Sequence, residues 1–142
     1  MRFDYSATIQ ATPGRVWEIF SDVARWAAWS PTIDSVERLD EGPIYIGART
    51  RIRQPKLPVA VWEVTELIEG EYFEWVARGP GVKTTGGHRV SEVSGSTVAT
   101  ATLIQEGPLG WVLGRMMAKL TREYIALEVE SLKKIAESAS PK

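Results

Sequence analysis

Apolar and polar residues alternate at the start of the chain, which predicts a first β-strand. The segment RFDYSATIQA, residues 2–11, places its apolar side chains on one face, at Phe3, Tyr5, Ala7 and Ile9. The period then changes to that of a helix. Thr12 followed by Pro13 is typical of a helix start, because the hydroxyl accepts from a free amide and proline lacks a donor that would be unpaired there. A first helix is therefore expected directly after the first strand.

A second short helix is expected between residue 22 and Pro31. Pro31 ends it, because the residue before a proline is displaced from the α-helical region. Trp26 and Trp29 lie three positions apart, so they share one face of this helix. We expect Trp29, next to Pro31, to be a structural residue that joins the helix to the sheet. We expect Trp26, one turn earlier, to lie at the mouth of a ligand cavity.

Six further strands are predicted between residues 32 and 107. Turn sequences such as DEGP, QPKLP, GPG and SGS separate most of them. Short links of this kind join antiparallel neighbours. With the first strand, a seven-stranded antiparallel sheet is therefore expected. The six predicted strands are TIDSVERL (32–39), ARTRIRQ (48–54), VAVWEVTELI (59–68), EYFEWVAR (71–78), KTTGGHRVSEV (83–93) and STVATATLIQ (96–105).

The last third of the chain has helical spacing instead. Apolar residues recur every three or four positions from Leu109 to about Glu137, which predicts one helix roughly 42 Å long. A helix of this length needs an equally long partner, and a sheet curled around it is the simplest two-layer arrangement. Gly86 and Gly87, inside a predicted strand, are compatible with the bend that such a sheet requires. The expected fold class is therefore α+β.

Composition indicates the size and the environment of this fold. The 142 residues, 44% apolar and 25% charged, are expected to form a single domain over 1–142, with a frayed tail at about 138–142. The absence of cysteine excludes disulfides and thiolate catalysis. No apolar run reaches the about 20 residues needed to cross a bilayer. A cytoplasmic location without membrane insertion is therefore expected.

Charge gives little support for a nucleic-acid partner. The formal net charge is -1, and the one basic cluster, RTRIRQPK, alternates Arg49, Arg51 and Arg53 with smaller residues. At the strand period these arginines share one face, which we interpret as solvated because no aromatic platform lies beside them in sequence. A single histidine and no cysteine also exclude a His-rich metal site, although they leave an oxygen-only site open.

Strand parity then indicates which side chains face the C-terminal helix. The inward positions are mostly apolar or aromatic, which is typical of a pocket for a hydrophobic molecule, although the same residues would also fill an ordinary core. No cofactor and no metal are expected there. The predicted lining residues are Trp26, Ile52, Trp62, Val64, Phe73, Trp75, His88, Val90, Leu113, Met116, Met117 and Tyr124.

Two inward positions carry groups that are able to exchange protons. His88 titrates near neutrality when unperturbed, and Glu66 is expected to share the face of Trp62, Val64 and Ile68. A buried carboxylate would have to be paired, hydrated or raised in pKa. His88 and Glu66 are therefore the candidate catalytic residues. Their structural alternatives are a hydrogen-bonded core histidine and a glutamate at an open strand end.

Six segments spread along nearly the whole chain carry a family resemblance. They are IQATPGRVWEIFSDVARWAAWSP, GPIYIGARTRIRQP, VWEVTELIEGEYFEWV, GGHRV, GSTVATATLIQEGPLGWVLGRMM and EVESLKKIAE. This ordered set resembles the polyketide cyclase/dehydrase branch of the START-like (SRPBCC) superfamily. The resemblance implies a helix-grip fold with a hydrophobic cavity between the sheet and the C-terminal helix. Aromatase/cyclases of this superfamily place an arginine in the cavity, whereas the strand after Trp62 reads EVTELI here.

Three functions are compatible with these observations. The favoured hypothesis is binding of a small hydrophobic molecule, aromatic, polyketide or lipid-like, in the internal cavity. The second is a polyketide cyclase or dehydratase in which His88 and Glu66 transfer protons. The third is a co-chaperone-like interaction module, which would expose a large apolar patch. The sequence does not set the oligomeric state, for which a monomer is the expectation.

Overall fold

Seven β-strands form one sheet in the computed structural model, which describes residues 1–138. All neighbouring strands are antiparallel, in the order β1-β7-β6-β5-β4-β3-β2, which confirms the predicted sheet. Of the predicted frayed tail, residues 139–142 lie outside the described part. The strands are β1 Arg2–Ile9, β2 Ser35–Arg38, β3 Arg49–Arg53, β4 Ala60–Ile68, β5 Tyr72–Gly79, β6 Val82–Val93 and β7 Ser96–Glu106.

Two short helices follow β1, as expected. Helix α1, Pro13–Ser21, begins with the Thr12 hydroxyl accepting a hydrogen bond from the Arg15 amide at 3.2 Å. A 3-10 turn at Val23–Arg25 then leads into helix α2, Trp26–Trp29. Helix α1 packs on β6 and β7 and helix α2 on β2. The rings of Trp17 and Trp26 from these helices pack against Phe73 and Trp75 of β5.

The predicted C-terminal helix is divided at Met117. Helix α3 spans Gly110–Met116 and helix α4 spans Ala118–Glu137, and Met117 between them has a ψ of 13°, which is not helical. The two parts share β7 as a packing surface but differ in their other contacts. A Cβ at Gly110 would meet the backbone of Gln105 in β7 at 3.0 Å, and α3 also contacts β6, whereas α4 packs mainly on β1 and also on α1. The helix is therefore interrupted where its packing surface changes.

Helix α4 covers the concave face of the sheet. Its long axis, about 30 Å for 20 residues, lies against β1 and α1. The side chains that it buries follow helical spacing, at Ile125, Val129, Leu132 and Ala136. Within residues 1–138, no helix is both long enough and apolar enough to cross a membrane.

Gly86 and Gly87 in β6 allow two aromatic rings of β5 to approach the sheet closely. A Cβ at Gly86 would lie 3.1 Å from the indole of Trp75, and one at Gly87 would lie 2.9 Å from the hydroxyl of Tyr72. Successive residues of a strand face opposite sides, so each glycine accommodates a ring on its own face of the sheet. The two glycines thus permit close packing on both faces.

The arginines of β3 lie on the solvated face, as the strand period predicts. Arg49, Arg51 and Arg53 are exposed, while the alternate residues Thr50 and Ile52 are buried. Arg51 forms an ion pair with a glutamate of the neighbouring strand β2. The basic cluster is therefore the solvated face of β3, which lies between β4 and the edge strand β2.

Candidate functional site

A cavity of about 300 Å³ lies between the concave face of the sheet and the helices. Side chains from α2, α3, α4 and strands β3 to β7 line it, together with the loop between β3 and β4. Most of these side chains are apolar or aromatic. The volume lies at the lower end of the range of small-molecule sites.

The cavity reaches solvent beside the β3–β4 loop, where Pro58 is the one exposed lining residue within 1–138. Leu57 in the same loop and Leu113 and Met117 at the junction of α3 with α4 also line the cavity and are half-buried. The hydroxyl of Tyr124 on α4 donates a hydrogen bond to the carbonyl of Pro55 in the same loop. Loop and helix are thus joined beside the opening.

Aromatic rings form the closed wall of the cavity. Trp26 from α2 and Trp62 from β4 both contact Trp75 of β5, with ring centroids 5.2 Å and 5.7 Å apart. Phe73 supports this wall from behind, with its ring 5.4 Å from that of Trp75. Aromatic pairs at these separations stabilise one another beyond simple burial.

His88 of β6 belongs to the same wall and is 4% exposed. Its ring stacks on Phe73, with centroids 4.2 Å apart, and Nδ1 lies 3.3 Å from the Phe73 carbonyl oxygen. Because a carbonyl only accepts, Nδ1 carries the proton of the neutral ring and Nε2 is an acceptor. Burial lowers the pKa of His88 to about 3, although the bond to Phe73 acts in the opposite direction. His88 is therefore neutral at pH 7.

Glu128 of α4 places its carboxyl group in the cavity, opposite His88. Its side chain is 14% exposed, and Oε2 lies 3.8 Å from Nε2 of His88. This separation is too long for a hydrogen bond. Burial raises the pKa of Glu128 to about 8, so the carboxyl is mostly protonated at pH 7. Although the two side chains are close enough to pair as ions, burial opposes the charged form of each.

The sequence interpretation missed Glu128, although helical spacing contains the signal. Glu128 lies three residues after Ile125 and four before Leu132, both of which α4 buries. A glutamate at that spacing shares the inward face.

Gln105 of β7 supplies a second polar atom to the lining. Its Oε1 is buried and has no hydrogen-bond partner within residues 1–138. A Cβ at Gly114 of α3 would come within 3.2 Å of this oxygen. The polar group therefore lies against α3.

Most of the predicted lining residues meet at the cavity. Three others, Val64, Phe73 and Val90, are buried in the core and do not line it. Their role in binding, like that of the lining residues, remains a prediction. The eight that line the cavity are Trp26, Ile52, Trp62, Trp75, His88, Leu113, Met117 and Tyr124.

Met116 does not line the cavity, contrary to the sequence interpretation. It is 76% exposed, while its neighbour Met117 lines the cavity. Helix α3 ends at Met116 and Met117 is not helical, so the two neighbouring side chains point in different directions. Met116 instead belongs to an exposed apolar surface of α3 with Leu109, Trp111 and Val112.

Glu66 also lies outside the cavity. The pairing of β4 with β5 shifts between Val64, which pairs with Trp75, and Glu66, which pairs with Glu74. This β-bulge reverses the strand parity after Val64. Glu66 and Ile68 are therefore exposed, and Leu67 packs against the core in their place. The predicted pair of His88 and Glu66 is not assembled.

Trp26 of α2 does not lie at the cavity mouth, contrary to the expectation from the sequence. Trp26 is 2% exposed, and its indole nitrogen donates a hydrogen bond to the Phe20 carbonyl at 3.0 Å. Such a residue lines the closed end of the cavity, so it cannot lie at the mouth. Trp29 is only partly buried and packs against Trp26 with ring centroids 6.0 Å apart.

Metal coordination finds no support in the described part of the chain. Within residues 1–138, no group of three or more His, Asp or Glu side chains is arranged to hold a metal ion. The polar groups of the cavity are thus a carboxyl, an imidazole, amides and hydroxyls.

Comparison with solved structures places this architecture among known folds. A START superfamily protein from Mycobacterium smegmatis has a TM-score of 0.73 and 16% identity, covering 98% of this chain and 99% of that chain. The Zhui aromatase/cyclase from Streptomyces sp. R1128 has a TM-score of 0.71 and 19% identity, covering 96% and 93%. A Thermus thermophilus protein has a TM-score of 0.75 and 18% identity, covering 98% and 100%. At these identities the similarity shows the fold.

Family membership follows from the sequence match. No curated protein matches the chain. Residues 1–137, however, match the family described as polyketide cyclase / dehydrase and lipid transport. The fold is that of the START-like superfamily, with a curved sheet around a C-terminal helix. The chain therefore belongs to the polyketide cyclase/dehydrase and lipid transport family.

Proposed function

We propose that the protein binds a small hydrophobic molecule, aromatic, polyketide or lipid-like, in the cavity between sheet and helices. The observation that carries this proposal is the cavity itself, about 300 Å³ in volume and lined mainly by apolar and aromatic side chains. Burial of apolar ligand surface against such a wall is favourable by about 25 cal/mol per Å². The family description, which includes lipid transport, supports the same class of ligand.

The shape of the wall favours a compact ligand. Trp26, Trp62 and Trp75 present rigid rings, while Leu113 and Met117 are flexible aliphatic chains. Rigid rings favour stacking with a planar ligand, and a methionine adapts to the part that differs between ligands. A molecule of about two or three fused rings, or an acyl chain of similar volume, suits this space.

The uncharged fluorescent probe N-phenyl-1-naphthylamine tests the proposal. Ala60 of β4 lines the cavity, whereas its neighbour Val61 lies on the outer face and is 39% exposed. We expect saturable binding to the wild-type protein. We expect Ala60→Phe, which fills the cavity, to weaken this binding by at least about tenfold. The matched variant Val61→Phe should bind as the wild type does.

Two results would contradict the proposal. One is a wild-type protein that gives no saturable fluorescence change at any probe concentration. The other is equal probe affinity in Ala60→Phe and Val61→Phe, since binding would then occur outside the cavity. Thermal unfolding of both variants distinguishes a filled cavity from a damaged fold.

A catalytic function is the second candidate, favoured by the two ionisable groups that face one another in the cavity. The similar Streptomyces protein is an aromatase/cyclase. A carboxyl group with a pKa of about 8 suits a general acid near neutrality, whereas an imidazole with a pKa of about 3 is a weak base there. Turnover of a poly-β-ketone that is abolished by Glu128→Gln and kept by Glu66→Gln would support catalysis.

An interaction module is less well supported. The exposed apolar surface of α3 contains four large side chains, Leu109, Trp111, Val112 and Met116. Stable interfaces take about 20–30 residues from each partner. The α3 surface is small by this measure, so the cavity carries the proposal. A monomeric state and a cytoplasmic location remain predictions from the sequence.

A further inference from the structure

We infer that Glu128 donates a hydrogen bond to an oxygen of the bound molecule, so that the cavity selects uncharged ligands with a carbonyl group over carboxylates. This inference rests on the proposed function, because it names the ligand class of the same cavity. It assigns a specificity-determining role to a residue on the helical wall.

The first support is the position of the Glu128 carboxyl group. It lines the cavity, its side chain is 14% exposed, and His88 is 3.8 Å away, which is too far for a hydrogen bond. A molecule in the cavity can therefore reach this carboxyl group. An acceptor oxygen on a ligand would supply a hydrogen-bond partner from within the cavity.

The second support is that Glu128, and not His88, is able to donate a hydrogen bond to an oxygen of the ligand. Nε2 of His88 is an acceptor, because Nδ1 carries the proton toward the Phe73 carbonyl. The imidazole therefore offers no donor to a ligand oxygen on this side. A protonated Glu128 carboxyl does offer one, and burial keeps it protonated at pH 7.

The third support is the absence of positive charge on the wall. None of the described lining residues is a lysine or an arginine. The titratable lining groups are His88 from β6 and Tyr124 and Glu128 from α4, while α2, α3 and the other lining strands contribute none. A carboxylate ligand would find no cation to pair with and would lose its hydration, which is costly.

Three naphthalenes of nearly equal shape test this selectivity. They are 2-acetylnaphthalene, a ketone; 2-isopropenylnaphthalene, a hydrocarbon; and 2-naphthoate, a carboxylate. Each competes with N-phenyl-1-naphthylamine at about pH 6.5. We expect the ketone to bind about tenfold more tightly than the hydrocarbon. We expect the carboxylate to bind at least about tenfold more weakly than the ketone.

Substitutions at Glu128 locate the source of the preference. Glu128→Gln retains an N–H donor, so the preference for the ketone should persist at every pH. Glu128→Leu removes the donor at similar volume, so the ketone and hydrocarbon should bind equally. Glu123→Leu makes the same change on an exposed part of α4 and serves as the matched control. In the wild type, the preference should decline as the pH is raised above about 8, because Glu128 ionises.

The binding results distinguish failure of the proposed function from failure of the selectivity inference. If neither the probe nor any naphthalene binds the wild type, the proposed function fails. If the probe binds but the three naphthalenes bind equally, or if Glu128→Leu keeps the ketone preference, only the selectivity inference fails. Binding of the probe to both Glu128 variants shows that their cavities remain intact.

Discussion

Glu128 and His88 are two ionisable side chains whose charge is set by their apolar surroundings. Their pKa values move in opposite directions for one reason, since burial disfavours the charged form of an acid and of a base alike. The folded protein therefore holds both neutral over the pH range between their pKa values. A neutral acid facing a neutral base is a specific consequence of this fold.

The pH dependence of stability should reveal the buried acid. Unfolded, Glu128 releases its proton near its ordinary pKa of 4.5, whereas in the folded state it does so near about 8. The folded state thus binds more protons in this interval, and the free energy of unfolding should fall as the pH rises through it. We expect Glu128→Gln to remove this fall, with a difference on the order of 2 to 4 kcal/mol at about pH 8.5.

Urea unfolding at several pH values measures this effect, with the exposed Glu123→Gln as control. His88 affects the free energy of unfolding in the acid range, because its folded pKa of about 3 lies below its ordinary value of 6.5. The stability that the neutral imidazole contributes is fully present above pH 6.5 and is lost as the pH falls toward 3. A wild-type curve parallel to that of Glu128→Gln between pH 4.5 and 8 would mean that Glu128 is ionised in the folded state.

The sequence predicts which face of the sheet a residue occupies wherever the alternation along the strand is regular. His88 was correctly placed on the inner face. Glu66 was not, because a β-bulge adds one residue to β4 and no residue type marks it in the sequence. Glu128 was predictable in principle from its spacing to Ile125 and Leu132, but its position opposite His88 depends on how α4 lies across the sheet.

Helices α1 and α3 contain glycines in opposite environments. A Cβ at Gly14 of α1 would meet no atom within 4 Å, whereas one at Gly110 of α3 would meet the Gln105 backbone at 3.0 Å. Glycine in a helix is destabilising relative to alanine by roughly 0.5 to 1 kcal/mol. At Gly110 this loss is offset by close packing of α3 on β7.

Alanine substitutions should therefore have opposite signs at the two glycines. We expect Gly14→Ala to raise the free energy of unfolding by about 0.5 to 1 kcal/mol. We expect Gly110→Ala to lower it by about 1 to 3 kcal/mol, since backbone atoms must shift. Chemical denaturation of the two variants provides the comparison, and a stabilised Gly110→Ala would show that α3 is not tightly held.

The division of the C-terminal helix is caused by tertiary contacts and not by its apolar pattern. Apolar spacing continues from α3 into α4, so the pattern alone predicts one helix. The interruption at Met117 depends on the tertiary contacts of Gly110 with β7 and of α4 with β1. Local sequence does not contain those contacts.

Across the whole molecule, an aromatic cluster connects the short helices to the sheet. Trp26 of α2 contacts Phe20 of α1, Phe73 and Trp75 of β5, and His88 of β6. The cluster therefore joins elements that are far apart in sequence. Turn signals predicted the strands, and the helical period predicted the layer that covers them, but neither predicts which ring lies at the centre.

Truncation of the two α2 tryptophans tests the importance of this cluster. We expect Trp26→Ala to lower the free energy of unfolding by about 3 to 5 kcal/mol, because it removes a fully buried ring. Trp29→Ala should have a smaller effect, of about 1 to 2 kcal/mol, since Trp29 is only partly buried. Urea unfolding of both variants measures the two losses of stability. A larger loss in Trp29→Ala than in Trp26→Ala would identify Trp29 as the main structural residue.

The closed wall of the cavity has an optical consequence. Three of the six tryptophans line it, and neighbouring ring centroids are separated by 5.2 Å and 5.7 Å. Indole chromophores this close share their excitation, which produces paired circular-dichroism bands of opposite sign. A planar guest stacked on these rings would perturb the bands directly. The cavity thus contains its own spectroscopic reporter, and an unlabelled protein can signal when the space is occupied.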